Sequence, residues 1–526
     1  MNDVGFDSGS AGEDFTALLR EQVLRTPDAP ALGMIGEPPL SFAELDARIR
    51  LVVKRLHSKG FRPGDRMLFS IRPCVDAVVL ILGTVTAGGT IVFVDPGVGP
   101  ELFARRLELV RPTWAATESL LYLLSGPLRR YGRRLGLSLP EFGKLPLRHI
   151  HCGPRLPGTP RGSIPLRQLI GSEPGWSGPA SGSTVDTPVE DPEAEALIVF
   201  TSGTTAAPKA VVHTRGSLGA GLAAMAGCTT LMPGSHLHTE QLMMGLPAVL
   251  EGARWSMPRY PRFETHIDPV GFARTLDTAT HAFFTPADLA AALDAIEAGR
   301  VPAPTNLEEI SLGGAPVTPA LLRRARAVLP DTEFLAIYGM TEILPVAIVS
   351  GTDKLDFGGP GDPLGPPVDG VDARIADDGE LILSGPNLCR GYLGESALKE
   401  IATGDLARFE GDTLVLMGRK KDMMIRGKTN IYPGLYEPTI ATVAGVRQAI
   451  MVGIPDEIGD ERIVLAVVAD PDAVDVEARL RRELPSLIDV SALPDDIVTV
   501  AEIPVSGRTR KPDRAALRAL LERRIG

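Results

Sequence analysis

Three things are scarce in this 526-residue chain: aromatic residues (5%), cysteine (four) and positive charge in excess. Lysine and arginine number 54 against 65 acidic residues, a formal net charge of −11. That acidic balance excludes a nucleic-acid binder whose affinity rests on counterion release. Cys74, Cys152, Cys228 and Cys389 lie far apart without CxxC spacing, so no disulfide framework is expected and a reducing cytoplasm fits. No run of about 18 uninterrupted apolar residues occurs, and the acidic first thirty residues contain no apolar h-region, so neither a membrane span nor export is indicated. The remainder is ordinary globular material, 44% hydrophobic and 23% charged. At ~100–200 residues per domain, the length suggests roughly three to five structural units.

Helical and strand patterns alternate from Phe15 to about residue 120. In SFAELDARIRLVVKRLHSKG, Ser41 reads as an N-cap with Glu44 three residues later, a capping box, and Gly60 reads as the stop. A strand over Arg66–Ile71, a buried helix over Val75–Thr86 and a strand over Thr90–Val94 follow. This alternation predicts a layered α/β fold. The Pro-, Gly- and Arg-rich stretch 125–190 lacks periodicity. Its basic first half reads as a solvated loop, with attraction to anionic lipid or a carrier protein as the alternative. Its second half reads as a mobile loop. Ala196–Phe200 and Ala210–His213 are expected to be neighbouring buried strands. From Met451 onward, two strands around a polar loop, a helix over Val476–Leu484 with Asp475 as N-cap, a strand over Asp496–Val500 and a closing helix near Pro512–Arg524 predict a small α+β domain.

The most informative string is Thr201-Ser202-Gly203-Thr204-Thr205-Ala206-Ala207-Pro208-Lys209-Ala210, set between two apolar runs. Small hydroxyl residues and glycine let backbone N–H and side-chain O–H donors converge on phosphate oxygens, and Lys209 adds a point charge. It is not a Walker A loop, because Pro208 and Ala210 stand where that loop needs glycine and Ser/Thr. Ser311–Pro316 (SLGGAP) ends an expected strand with two glycines, where a flat ring can lie against backbone. Tyr338–Glu342 (YGMTE) follows the expected strand Glu333–Ile337, at the carboxyl end where open α/β sheets bind ligands. There Tyr338 can stack on a base, Thr341 can bind phosphate or carboxylate, and Glu342 can ligate Mg²⁺. Asp405 in Thr403-Gly404-Asp405 can accept both ribose hydroxyls. Lys511 lies in the basic run PVSGRTRKPDR. Each string taken singly also reads as an ordinary turn, capped strand end or solvated helix start.

Taken together and in this order, TSGTTxxPK, YGMTE, TGD, GRKKDMMIRGKTNIYP and a C-terminal lysine resemble the ANL superfamily of adenylate-forming enzymes. The resemblance runs from Pro27–Leu32 (PDAPAL) to the closing helix. It implies a large N-terminal domain of layered α/β subdomains over 1–419 and a small mobile α+β lid over 420–526, hinged at Lys421. It assigns Thr201, Ser202, Gly203, Thr204, Thr205 and Lys209 to the ATP β- and γ-phosphates. Gly313, Gly314 and Ala315 would line the adenine and acyl-carbonyl site, and Tyr338 would pack on adenine. Thr341 would contact the α-phosphate and Glu342 would hold Mg²⁺. Asp405, helped by Arg419, would bind the ribose, and Lys511 would bridge the attacking carboxylate and the α-phosphate. The implied cofactors are ATP, Mg²⁺ and CoA. The implied partners are a small carboxylic acid and, for transfer, CoA or an acyl or peptidyl carrier protein.

The chain departs from the pattern in places. Ala206 and Ala210 replace usual glycines, Lys428 replaces the second glycine of an RGG-type turn, and only Glu437 matches a customary pair of glutamates. RTRKPDR lacks the common SGK, leaving Arg508 or Arg510 as alternatives to Lys511. Three outcomes stay open: transfer of a carboxylic, by expectation fatty, acyl group to CoA or a carrier thiol, closure of a 3-hydroxy acid to a β-lactone as in a similar branch of the superfamily, and a degenerate adenylate-binding protein without turnover. Thr239–Gly245, Phe283–Pro286 and Ile343–Val346 are expected to line the acyl pocket. Met243, Met244, Leu246 and the small Gly245 suit an apolar chain. His236 and His238 invite a catalytic reading, though a structural one is the more common for such histidines.

Overall fold

The computed structural model describes residues 12–94, 100–134, 139–171, 190–200, 209–261, 267–426, 429–455, 461–506 and 511–525. Two compact units interleave along the chain. One takes Met1–Ala282, Met340–Leu344 and Pro386–Lys399; the other takes Phe283–Gly339, Pro345–Gly385 and Glu400–Gly526.

The first unit is built on an eight-stranded sheet. Its order is Gly391–Tyr392, Ala210–Thr214, Glu195–Phe200, Thr90–Phe93, Arg66–Ser70, Trp114–Glu118, Arg148–Cys152, Ile164–Pro165. The strands from Glu195–Phe200 onward pair in parallel, while Ala210–Thr214 and Gly391–Tyr392 join antiparallel at one edge. Parallel strands need helical crossovers, and the helix Val75–Thr86, with nine of its twelve residues buried, supplies one. The helix Phe42–Ser58 begins as its sequence demands: Ser41 Oγ accepts Glu44 N–H at 3.2 Å, and Glu44 Oε2 accepts Ser41 N–H at 2.9 Å. It buries Phe42, Leu45, Ile49, Val52, Val53 and Leu56, the 3.6-residue stripe of an amphipathic helix.

One expectation fails here. The stretch after residue 125 is not a solvated loop in its first half. It contains the helix Arg129–Arg134, the strand Arg148–Cys152 and the helix Leu166–Ile170. The strand hides because its buried positions include histidines. Tyr122 Oη lies 3.0 Å from His149 Nδ1, His149 Nε2 lies 3.0 Å from Leu145 O, and Ser163 Oγ lies 3.0 Å from His151 Nδ1. Paired in this way, imidazoles occupy core positions that a hydrophobicity pattern reads as surface. The loop expected in the second half lies mostly outside the described residues.

In the second unit, Glu309–Leu312 and Glu333–Met340 pair in parallel. A separate five-stranded antiparallel sheet runs Asp362–Gly365, Thr413–Arg419, Ile401–Glu410, Glu380–Ser384, Asp372–Ile375. The last hundred residues carry their own core. Val446–Pro455 pairs antiparallel with Glu461–Ala469, which pairs in parallel with Asp496–Thr499. The helices Val476–Leu487 and Arg514–Ile525 accompany this sheet. Ile463, Leu465, Val467, Leu480 and Leu484 pack in one apolar cluster, and Val464, Ala466, Leu517 and Leu521 in another. Asp475 occupies the N-cap position the sequence suggested, but with φ +54° and without a side-chain capping bond. Among the described residues no helix is long and apolar enough to cross a membrane.

Candidate active site

The second unit brings four of the expected residues together. Strands Ile401–Glu410 and Thr413–Arg419 pair antiparallel with Asp405 opposite Arg419, and Arg419 Nε meets Asp405 Oδ1 at 2.7 Å. Asp405 is buried, and its other oxygen accepts the Tyr338 hydroxyl at 2.7 Å. Thr403 Oγ1 donates to Leu381 O at 2.9 Å and accepts Asp405 N–H at 3.0 Å, which fixes the TGD segment. Burial, and then the Asp405 charge, pushes the Tyr338 phenol well above its ordinary range, so it stays a donor. The sequence placed Tyr338 beyond its strand. The strand instead continues to Met340, so Tyr338 is a strand residue and the turn begins at Thr341.

Lys511 lies on the short strand Lys511–Pro512, which pairs with Val505–Ser506. Surrounding protein desolvates its ammonium and the Arg419 and Lys421 charges repel it, lowering its pKa from the ordinary lysine value, while Asp405 opposes the shift. The arm carrying Lys511 is anchored three residues on. Arg514 Nη1 and Nη2 bind the two Glu437 carboxylate oxygens at 2.7 Å each, Nη1 also donates to Met451 O at 2.7 Å, and Nε lies 3.4 Å from Asp422 Oδ2. Gly313 and Gly314 follow the strand Glu309–Leu312. Gly314 has φ +82°, a conformation that favours glycine, and Ala315 is half-buried.

In the first unit, Glu342 is buried and its Oε1 accepts the Tyr392 hydroxyl at 2.9 Å. Lys209 Nζ lies 4.6 Å from the centroid of the same tyrosine ring. His213 Nε2 donates to Thr341 O at 2.7 Å; burial lowers the imidazole pKa and keeps it neutral at pH 7. Thr341 itself is exposed. Thr201, Ser202, Gly203, Thr204 and Thr205 lie outside the described residues, as do Ala206, Lys428, Arg508 and Arg510. Among the described residues no three His, Cys, Asp or Glu side chains converge as a metal cage. One buried carboxylate, completed by phosphate oxygens and water, is the donor set that suits Mg²⁺.

Sequence reasoning missed Tyr392, His213 and Arg514. The K-x-D-R string contained Arg514, but its partner Glu437 lies 77 residues away. His236 and His238 belong to the interior. Ser256 Oγ lies 2.7 Å from His236 Nε2 and 2.8 Å from His238 Nδ1, while Thr278 O and Thr275 Oγ1 take the remaining ring nitrogens at 2.8 and 3.1 Å. Gly245 also has a structural cause: a Cβ there would lie 2.0 Å from the Trp255 ring.

A sequence profile described as AMP-binding enzyme matches residues 19–393. The chain belongs to the AMP-binding enzyme family. This AMP-binding enzyme is 27% identical over 515 residues to a salicylyl-CoA synthase / salicylate adenylyltransferase of a Streptomyces species, covering 92% of this chain and 89% of that protein. It is 26% identical over 557 residues to the phosphinothricin tripeptide synthetase PhsB of Streptomyces viridochromogenes, covering 97% of this chain but only 43% of that protein. A 2-succinylbenzoate–CoA ligase of Staphylococcus epidermidis is 30% identical over 310 residues, covering 53% of this chain and 61% of that one. Among solved structures, the amide bond synthetase McbA of Marinactinospora thermotolerans superposes with TM-score 0.74 at 22% identity, covering 96% of this chain and 99% of that one. The anthranilate CoA ligase AuaEII in complex with anthranoyl-AMP superposes with TM-score 0.77 at 17% identity, covering 98% and 99%. The AMP-binding enzyme therefore has the mixed α/β fold of the ANL adenylate-forming superfamily, with a large N-terminal and a smaller C-terminal domain.

Proposed function

We propose that this chain joins a carboxylic acid to the AMP moiety of ATP, releases pyrophosphate, and passes the acyl group to the thiol of CoA or a carrier protein. The observation that carries this reading is the convergence of Tyr338, Asp405, Arg419 and Lys511 in one unit. A carboxylate attacking the α-phosphorus brings two anions together. A cation held between them offsets that repulsion, the largest contribution a preorganised site can make. Lys511 takes that role, Asp405 with Arg419 takes the ribose, and Tyr338 takes the adenine face. Lys209 and the residues Thr201–Thr205 take the β- and γ-phosphates, Gly313–Ala315 the adenine edge and acyl carbonyl, and Thr341 the α-phosphate. Glu342 would hold Mg²⁺, which when bound supplies charge neutralisation on the phosphates.

We take 1–419 as the core and 420–526 as a lid. The relatives named for salicylate, 2-succinylbenzoate and anthranilate favour an aromatic acid over the fatty acid suggested by the sequence. The test is pyrophosphate–ATP exchange with a panel of aryl, fatty and 3-hydroxy acids, with products weighed with and without CoA. Exchange with at least one acid and a thioester that appears only with CoA supports the reading. AMP release without CoA and a dehydrated cyclic product would select lactone closure, and no exchange with any acid would refute acid activation.

A further inference from the structure

We propose that Tyr392 is a positioning residue of the phosphate end of this site: its ring stands between Lys209 and Glu342 and keeps these opposite charges from closing into a direct ion pair. The proposal rests on the roles given above to Lys209 and Glu342. Its own basis is local geometry within the first unit. The Tyr392 hydroxyl donates to Glu342 Oε1 at 2.9 Å, while the ring face lies 4.6 Å from Lys209 Nζ. One aromatic side chain therefore touches both the cation intended for phosphate and the carboxylate intended for the metal.

The backbone around it holds this arrangement. Tyr392 pairs with Val211 and Gly391 with Val212, and Leu393 N–H binds Ala210 O at 2.8 Å, immediately after Lys209. On the other side, Cys389 N–H binds Glu342 O at 2.7 Å. The segment Cys389–Leu393 thus ties the strand that follows Lys209 to the turn that carries Glu342. Gly391 adopts φ +139° within this segment, a conformation that L side chains rarely take.

The physical case is a competition. A lysine and a glutamate within reach of each other gain by pairing, and a paired lysine is a poorer phosphate ligand while a paired carboxylate is a poorer metal ligand. A cation over an aromatic face is held only weakly when exposed, and Lys209 is exposed. It is parked in place yet is readily surrendered to a polyphosphate. The hydroxyl meanwhile orients one carboxylate oxygen of Glu342 in the manner of outer-shell partners at metal sites.

The experiment is equilibrium binding of ATP, with and without Mg²⁺, to the full-length wild type and to Tyr392→Phe, Tyr392→Ala, Glu342→Gln and Tyr392→Ala/Glu342→Gln, each with a melting curve. Tyr392→Phe keeps the spacer and loses the donor. It should bind metal-free ATP as the wild type does and lose roughly 10-fold in the Mg²⁺-dependent enhancement. Tyr392→Ala should also weaken metal-free binding, and the added Glu342→Gln should restore it, because the competing carboxylate charge is gone. A merely structural tyrosine would give no such rescue. Wild-type metal-free affinity in Tyr392→Ala, or no recovery in the double variant, would overturn the proposal. Should Tyr392→Ala fail to fold, an unchanged Mg²⁺ enhancement in Tyr392→Phe would overturn it. A wild type that binds no ATP at all would instead remove the functional reading beneath it.

Discussion

Replacing Arg514 by alanine tests whether the Lys511 arm is held by the network that surrounds it. Arg514 makes three charge-assisted bonds of 2.7 Å, two to Glu437 and one to Met451 O, with side chains 24% and 13% exposed. Removing one partner of a buried pair costs about 3–5 kcal/mol because the other charge stays behind. The residual exposure moves this case to the low end, about 3 kcal/mol. For a lid of ~100 residues that lowers the melting temperature by roughly 12–24 °C. Arg514 is three residues from Lys511, so freeing it also loosens the lysine, and misplacing a reacting group by about 1 Å can cost ~10²-fold. Pyrophosphate–ATP exchange should therefore fall by about that factor, while acyl transfer from preformed acyl-adenylate changes little. In a Lys511→Ala background the same substitution should cost nothing further in exchange. Full exchange activity below the melting transition in Arg514→Ala would show that this pair does not position Lys511.

Lys511→Ala alone should depress the adenylation half-reaction by ~10²–10³-fold, as loss of one transition-state donor does, and spare the second half-reaction. Because its folded pKa lies below the ordinary lysine value of 10.5, its charge is lost early on the alkaline side, and kcat/KM for adenylation should decline below pH 10.5. His236, His238 and His281 have pKa values lowered by burial to about 4, 3 and 4, from 6.5. The unfolded chain then binds protons that the folded chain refuses. The stability these histidines contribute is complete above pH 6.5 and is lost as pH falls through about 4, which acid melting curves should show, with His238→Phe flattening the slope. Arg447 Nη2 and Arg324 Nη2 each meet Asp294 at 2.5 Å, joining strand Val446–Pro455 to helices Pro286–Glu297 and Pro319–Val328. Arg447→Ala removes an exposed pair worth ~0.5–1 kcal/mol, so a mobile lid should shift its adenylation and transfer rates about 2–5-fold in opposite directions, an effect that salt should mimic in the wild type.

Local signals were legible in the sequence. Ser41, Glu44 and the apolar stripe behind them define a helix using only near neighbours, and Val75–Thr86 was readable because most of its residues are apolar. Ala196–Phe200 and Ala210–His213 were readable as adjacent strands for the same reason, and they pair with Val199 opposite Val211. The convergence of Tyr338, Asp405, Arg419 and Lys511 was legible only through family resemblance, since Tyr338 and Asp405 stand 67 residues apart. Tyr392 carried no local mark: its value comes from partners brought to it by sheet pairing with Ala210–Thr214 and by the turn at Thr341–Glu342. The strand Arg148–Cys152 was obscured because hydrogen bonds, which leave no periodic trace, make His149 and His151 acceptable inside. For His236 and His238, sequence left two readings, and only the Ser256 bridge between them decides in favour of the interior.

On the expectation that Thr239–Gly245 line the acyl pocket, the fit of Trp255 against Gly245 limits how selectivity can be re-engineered. A designer wishing to shorten the cavity for the acyl group would normally add bulk at a lining glycine. Here the space is already taken by an indole whose N–H is committed to Thr239 O at 2.9 Å, so any side chain at position 245 must evict the tryptophan and unpair its donor. On the same expectation, changes of substrate size are better sought at the partly buried Met243 and Met244, whose unbranched side chains are pliable.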